Sequence, residues 1–132
     1  MANQTDASEG YYAYEGLTRV LHEKARLGIL TALLSRPSGL LFSGLKSLCA
    51  LTDGNLSRHL QVLRDAGMVD VWKGYEGRRP QTLVRLSKVG RKQFVAYLEE
   101  LERVIKDSRK DLRRGAARKA AKPDLPPGWF PA

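Results

Sequence analysis

The stretch LTDGNLSRHLQVLRDAGMV, residues 51–69, decides the fold expected for this chain. At 100° per residue, Leu56, Leu60 and Leu63 fall on one side of a helix, which predicts a buried face. The opposite side carries small and polar residues, which are Gly54, Arg58, Gln61 and Asp65. Thr52 is placed to cap this helix with its hydroxyl. One side is therefore suited to packing and the other to a partner.

Two helices are expected before this stretch. The segment GLTRVLHEKARLGILTALLSR, residues 16–36, has leucines at helical spacing from Leu17 onward, and Pro37 marks its end. The segment LLFSGLKSLCA, residues 40–50, predicts a very short extended piece and then a helix of about two turns, with Ser43 as a candidate cap.

A β-hairpin is expected after the stretch. In MVDVWKGYEGRRPQTLVRLS, residues 68–87, two β-prone runs are separated by Gly74, Gly77 and Pro80. These turn-favouring residues predict a hairpin with a long tip. Ser87 then precedes a long run of helix-forming residues and is a plausible cap for a last helix.

The exposed side of the 51–69 helix has the residue types that read base edges. Arginine pairs bidentately with guanine, whereas asparagine and glutamine pair with adenine. A helix-turn-helix unit divides its second helix in this way, because one face must pack while the other enters the major groove. The residues predicted to contact DNA from this helix are Thr52, Asn55, Ser57, Arg58 and Gln61. Asp65 argues mildly against contact at the far end.

The charge of the chain supports an anionic partner. It has 23 Lys and Arg against 14 Asp and Glu, a net charge of +9. Several cations lie in the hairpin and on the preceding short helix, where they could contact phosphates or a minor groove. The residues predicted for this role are Lys46, Lys73, Arg78 and Arg79.

The last helix carries an apolar stripe that predicts self-association. Phe94, Leu98, Leu101 and Ile105 recur at spacings of four, three and four, which is the pattern of a coiled-coil seam. We expect Phe94 to pack on the chain's own first helix. The predicted dimer interface comprises Leu17, Leu21, Leu98, Leu101, Ile105 and Leu112. Two-fold symmetry would place two recognition helices roughly 34 Å apart, on an inverted repeat.

The segments RLGILTALL, LTDGNLSRHLQVLRDAGMV and RRPQTLVRLSKVGRKQF together resemble winged-helix transcriptional regulators of the ArsR and MarR type. LSKVGR resembles the LTxxGR element that follows the wing in that family. The resemblance implies a mainly α fold with a small β-hairpin wing, a winged helix-turn-helix with a long C-terminal dimerisation helix. It implies a homodimer that binds double-stranded DNA and regulates transcription, as a repressor or an activator, and repression is the expectation here. A small-molecule inducer would be compatible with it, although no residue identifies one.

The domain organisation follows from these elements. We expect a flexible N-terminal lead (1–14), a winged-helix DNA-binding domain (15–87), a C-terminal dimerisation helix (88–114) and a basic, proline-rich tail (115–132). Residues 103–122 hold nine basic residues and two acids. They are explained equally well as a solvated helix end and as a basic arm that adds non-specific DNA affinity.

Other classes of protein have little support in the sequence. No catalytic constellation, phosphate-binding loop or paired-cysteine zinc pattern is visible, so we expect neither an enzyme nor a cofactor nor a metal. His59 is expected to pack at the helix border with a hydrogen bond. No secretory signal or membrane-length apolar run occurs, which predicts a cytoplasmic location. The alternatives are a winged-helix adaptor that binds an acidic protein partner and, less favoured, an RNA-binding protein.

Overall fold

The computed structural model describes residues 9–18, 23–118 and 125–132. Within these ranges, four helices and three strands follow one another. They are α1 (Lys24–Leu34), β1 (Leu40–Leu41), α2 (Phe42–Cys49), α3 (Asp53–Asp65), β2 (Val69–Glu76), β3 (Arg79–Leu86) and α4 (Lys88–Arg118). The strands form one antiparallel sheet in the order β1, β3, β2. This is the predicted winged helix-turn-helix with a long C-terminal helix.

The first helix begins later than the leucine spacing from Leu17 indicates. α1 begins at Lys24, because Glu23 has an extended backbone, with φ −103° and ψ 135°. Leu17 lies in a preceding turn, where its N–H donates to the Tyr14 carbonyl at 2.9 Å. The neighbouring Gly16 N–H donates to the Glu100 carboxylate at 2.9 Å, across a sequence separation of 84 residues. The hydrogen bond from Gly16 to Glu100 thus stabilises a turn at a position where the leucine spacing predicted a helix.

The helix-turn-helix formed by α2 and α3 is built from local capping interactions. Ala50 ends α2 in the left-handed conformation, and its N–H donates to the carbonyls of Lys46 and Ser47. The Thr52 hydroxyl accepts from the Asn55 N–H at 3.2 Å, which confirms the predicted cap of α3. The predicted cap of α2 is wrong, because Leu41 occupies the cap position and Ser43 lies within the helix.

The hairpin has a tight turn instead of the predicted long tip. β2 and β3 pair from Val69↔Leu86 to Glu76↔Arg79, so only two residues, Gly77 and Arg78, form the turn. Gly77 has φ +62°, the conformation that a two-residue type II′ turn requires at its first position. Pro80 is tolerated in β3 because β1 pairs only with Leu83 and Val84, leaving the edge beside Pro80 open.

Hydrogen bonds connect Ser87, the residue before α4, to the residues that follow α3. The Ser87 hydroxyl donates to the Gly67 carbonyl at 2.6 Å and accepts from the Gly90 N–H at 2.8 Å. The Ser87 N–H donates to the Met68 carbonyl at 3.0 Å. The predicted Ser87 cap is confirmed, and the same side chain also fixes where α4 leaves the hairpin.

The core lies among α1, α2, α3, the sheet and the first part of α4. Its apolar members are Ile29, Leu30, Leu33, Leu45, Leu56, Leu60, Leu63, Met68, Val69, Val84, Phe94 and Tyr97. Phe94 is fully buried, so it belongs to the core of its own chain, and its ring stacks on that of Tyr97 with centroids 6.1 Å apart. The leucine side of α3 is thus buried as its spacing predicts.

The chain divides into two compact units, Met1–Glu100 and Leu101–Ala132. α4 contributes residues to both units. In the second unit, the apolar side chains of Ile105 and Leu112 are 46% and 72% exposed. No helix in the described ranges has the length and apolar character needed to cross a membrane.

His59 is the polar member of the core. It is 5% exposed, and its Nδ1 has no hydrogen-bond partner among the residues that the structure describes. Burial lowers the pKa of His59 from its ordinary value of 6.5; nearby Glu23 raises it, whereas Arg58 and Arg26 lower it further. The expected packing is therefore confirmed, while the expected hydrogen bond is not found at Nδ1.

The stability of the fold should consequently fall in mild acid. Because the folded state holds His59 neutral, the unfolded state binds more protons, and stability is lost as the pH falls below about 6.5. We expect wild type to lose more unfolding free energy than His59→Gln between about pH 7.5 and 5.5, measured by urea denaturation at each pH. Equal losses in the two proteins would show that His59 does not contribute to this dependence.

Candidate nucleic-acid interface

The exposed side of α3 carries two hydrogen-bonded side-chain pairs. Arg58 Nη2 lies 3.4 Å from Asn55 Oδ1, one turn earlier. Gln61 Nε2 donates to Asp65 Oδ1 at 2.8 Å, one turn later. All four side chains are exposed, opposite the buried leucines. This side of α3 is therefore exposed, as its spacing predicts, and hydrogen bonds connect Arg58 to Asn55 and Gln61 to Asp65.

The N-terminal end of α3 is linked to α2. Lys46 Nζ forms an ion pair with Asp53 Oδ1 at 2.9 Å, and both side chains are substantially exposed. Asp53 in the first turn also complements the positive end of the helix dipole. Because exposed ion pairs are weak, Lys46 can exchange Asp53 for a phosphate at small cost.

The hairpin brings its cations to two places. Arg78 and Arg79 lie at the turn and are exposed. Lys73 lies farther back on β2, where its ammonium group donates to the Thr82 hydroxyl at 3.0 Å across the strand pair. Only Arg78 and Arg79 are thus at the tip, whereas Lys73 is closer to α3.

A groove of about 410 Å³ separates α3 from the inner face of the hairpin. Its apolar floor includes Leu60 and Val71. Its polar lining residues are Asp53, Ser57, Arg64, Lys73 and Thr82. Two cations, two hydroxyl groups and one carboxylate therefore line one groove, and its cations and hydroxyl groups are donors that suit phosphate oxygens.

Residues 25–105 match the family described as winged helix DNA-binding domain. The chain belongs to this family. The family's match spans the two-helix unit, the wing and the first part of α4, so it includes the whole of the interface described above.

Similar proteins agree with this assignment. A transcriptional regulator homologue from Pyrococcus horikoshii OT3 is 31% identical, with a TM-score of 0.67, over 76% of this chain and 97% of that one. An uncharacterized protein from Methanocaldococcus jannaschii is 35% identical over 66 residues, which are 50% of this chain and 72% of the relative. The structure of MarR, 21% identical, shares the fold with a TM-score of 0.59 over 82% of this chain and 85% of MarR. The family is that of winged-helix DNA-binding domains, and the chain shares its fold with the Pyrococcus regulator homologue and with MarR.

Sequence reasoning missed two lining residues of the groove, Arg64 and Thr82. Arg64 lies seven residues after Ser57 and therefore on the same side of α3, so helical spacing could have indicated it. Thr82 faces Lys73 only because the turn has two residues. The pairing of Lys73 with Thr82 was not predicted, because a long tip was expected between the strands.

The residues predicted for the dimer interface fall in different environments. Leu17, Leu98 and Leu101 are half-buried, and Ile105 and Leu112 are exposed. Leu21 lies outside the described residues. Because Leu17 lies in a turn, it does not extend α1 as the sequence pattern suggested.

Metal ligands do not cluster in the described part of the chain. No three His, Cys, Asp or Glu side chains there lie close enough to hold an ion together. Cys49 is a half-buried free thiol, and burial raises its pKa, which disfavours the reactive thiolate.

Proposed function

We propose that this protein is a sequence-specific, double-stranded DNA-binding repressor that acts as a homodimer on an inverted-repeat operator. The observation that carries the proposal is the exposed side of α3, where Arg58 and Gln61 stand beside a groove and wing rich in cations. In this proposal α3 reads bases from the major groove, while Lys46, Lys73, Arg78 and Arg79 contact the backbone or a minor groove. Thr52, Asn55 and Ser57 approach the same DNA from the first turns of α3.

A homodimer is supported by the apolar stripe on α4. Ile105 and Leu112 expose large apolar surfaces at coiled-coil spacing from Leu101 and Leu98. A second copy would cover this stripe and give a closed symmetric pair. Residues 15–87 would then bind DNA and residues 88–114 would join the subunits, with 115–132 as a basic tail.

Repression is the simplest outcome of such binding, because a dimer seated on a promoter excludes other proteins from the same DNA. Transcription from a promoter that carries the selected operator should fall when the protein is added. A rise would reassign the protein as an activator without changing its DNA-binding role.

The first test of base reading is Arg58→Ala. Removal of a bidentate hydrogen bond to guanine should weaken binding to the selected operator by about 1 to 3 kcal/mol and relax the preference at one base position. The fold should be unaffected, because Arg58 is exposed. Binding would be measured by fluorescence anisotropy on operator and random duplexes. An equal loss on both duplexes would contradict base reading by Arg58.

The wing should contribute through charge. Replacing both Arg78 and Arg79 with alanine should weaken binding to all duplexes and reduce the slope of log affinity against log salt by roughly 1.8, about 0.9 for each phosphate that is no longer neutralised. Titrations at several salt concentrations would measure this slope. An unchanged slope and affinity would remove the wing from the proposed interface.

A further inference from the structure

We infer that Gln61 reads an adenine in each half-site and that Asp65 is the residue that positions it. The inference rests on the proposed function and extends it by naming the base that one side chain recognises. It is drawn from the hydrogen bond between Gln61 Nε2 and Asp65 Oδ1, which measures 2.8 Å.

The chemistry of this hydrogen bond fixes the orientation of the Gln61 amide. A carboxylate accepts hydrogen bonds and cannot donate them, so only the NH₂ end of the amide can face Asp65 at this distance. The carbonyl end of the amide, Oε1, must then face away from Asp65. In the pose that we infer, the N–H that points away from Oε1 donates to Asp65, and the N–H on the same edge as Oε1 stays available.

The edge of Gln61 that remains available matches adenine. It presents an acceptor, Oε1, beside a donor, the second N–H of Nε2. Adenine presents the complementary pair in the major groove, the N6 amino donor beside the N7 acceptor. Guanine offers two acceptors, O6 and N7, and would leave Oε1 facing another acceptor. Because Asp65 occupies one N–H, Gln61 cannot turn both of its N–H groups toward the two acceptors of guanine, and the edge that remains fits adenine.

The position of Asp65 favours this role over a structural one. It is the last residue of α3, where an acidic group faces the negative end of the helix dipole and weakens the helix. It is exposed and lies on the same side of the helix as Gly54 and Gln61. A negative charge near DNA lowers affinity for every sequence, so positioning Gln61 is the contribution to binding that we assign to Asp65.

The test is selection of bound sites from randomised duplex DNA by four full-length proteins: wild type, Gln61→Ala, Asp65→Asn and Asp70→Asn. Wild type should select adenine at one position of each half-site, and Gln61→Ala should lose that preference. Asp65→Asn should reduce discrimination at the same position by about threefold to tenfold. An asparagine can both donate and accept, so it allows both amide orientations and returns rotational freedom to Gln61.

Asp70→Asn is the matched control. It removes one negative charge from an exposed site on β2 and leaves the Gln61 and Asp65 pair intact, so the adenine preference should persist. Asp65→Glu keeps the carboxylate and should also preserve the preference. Circular dichroism and thermal unfolding of Asp65→Asn should match or slightly exceed wild type, so that a change in base preference cannot come from loss of fold.

The possible results separate this inference from the proposed function. The inference is overturned if Asp65→Asn discriminates as well as wild type, or if the base preference that Gln61→Ala abolishes is not for adenine. A wild-type protein that selects no sequence would instead overturn the proposed function itself.

Discussion

Gly90→Ala is expected to lower the unfolding free energy by about 3 kcal/mol or more, enough to remove much of the stability of a domain of this size. A Cβ at Gly90 would overlap the carbonyl oxygen of Met68 and lie 2.8 Å from its carbonyl carbon. These are backbone atoms held by the Ser87 hydrogen bonds, so they cannot move aside as a flexible side chain would. α4 would have to shift, which would disturb the packing of Phe94 and Tyr97.

Urea denaturation would measure this loss, and Gly115→Ala in the same helix is its control. A Cβ at Gly115 has no atom within 4 Å, so this change should stabilise α4 by up to about 1 kcal/mol. A lower unfolding free energy for Gly90→Ala and a higher one for Gly115→Ala would show that the loss comes from the close approach at Gly90, because helices otherwise favour alanine over glycine. If Gly90→Ala were as stable as wild type, α4 would not pack on Met68 in the way described.

The double change Leu101→Asp with Ile105→Asp is expected to yield monomers and to reduce operator affinity by about 100-fold or more. Two carboxylates in an apolar seam would have to be desolvated without partners, which is costly in free energy. A monomer binds one half-site at a time and loses the gain in affinity from linking two binding events. Sedimentation and operator binding would be measured together.

The matched control is Leu101→Ile with Ile105→Leu, which keeps the apolar volume and should keep both the dimer and the affinity. Circular dichroism should show that the winged-helix core survives in the aspartate variant. A wild-type protein that sediments as a monomer, or a selected operator without inverted symmetry, would be incompatible with the proposed dimer.

Elements with local signals could be predicted from the sequence. The leucine spacing and the Thr52 cap defined α3, and the change from helical spacing to β-prone runs after Met68 defined the hairpin. Ser87 marked the start of α4. These predictions succeeded because the Thr52 and Ser87 caps and the apolar periodicity act within a few residues of chain. The exposed, polar side of α3 followed from the same spacing.

Features that depend on residues far apart in the sequence could not be predicted and became visible only in the folded chain. Glu100 binds the Gly16 backbone and so holds that segment in a turn before α1. The two-residue turn sets the register that brings Thr82 to Lys73, and the packing of the hairpin beside α3 places Arg64 in the same groove. Nothing in the sequence distinguishes Gly90 from other helix residues. A side chain is excluded at this position because the Met68 carbonyl lies where a Cβ would be. Apolar periodicity predicts which face of a helix or strand is buried. The element that packs against this face depends on the packing of the whole chain.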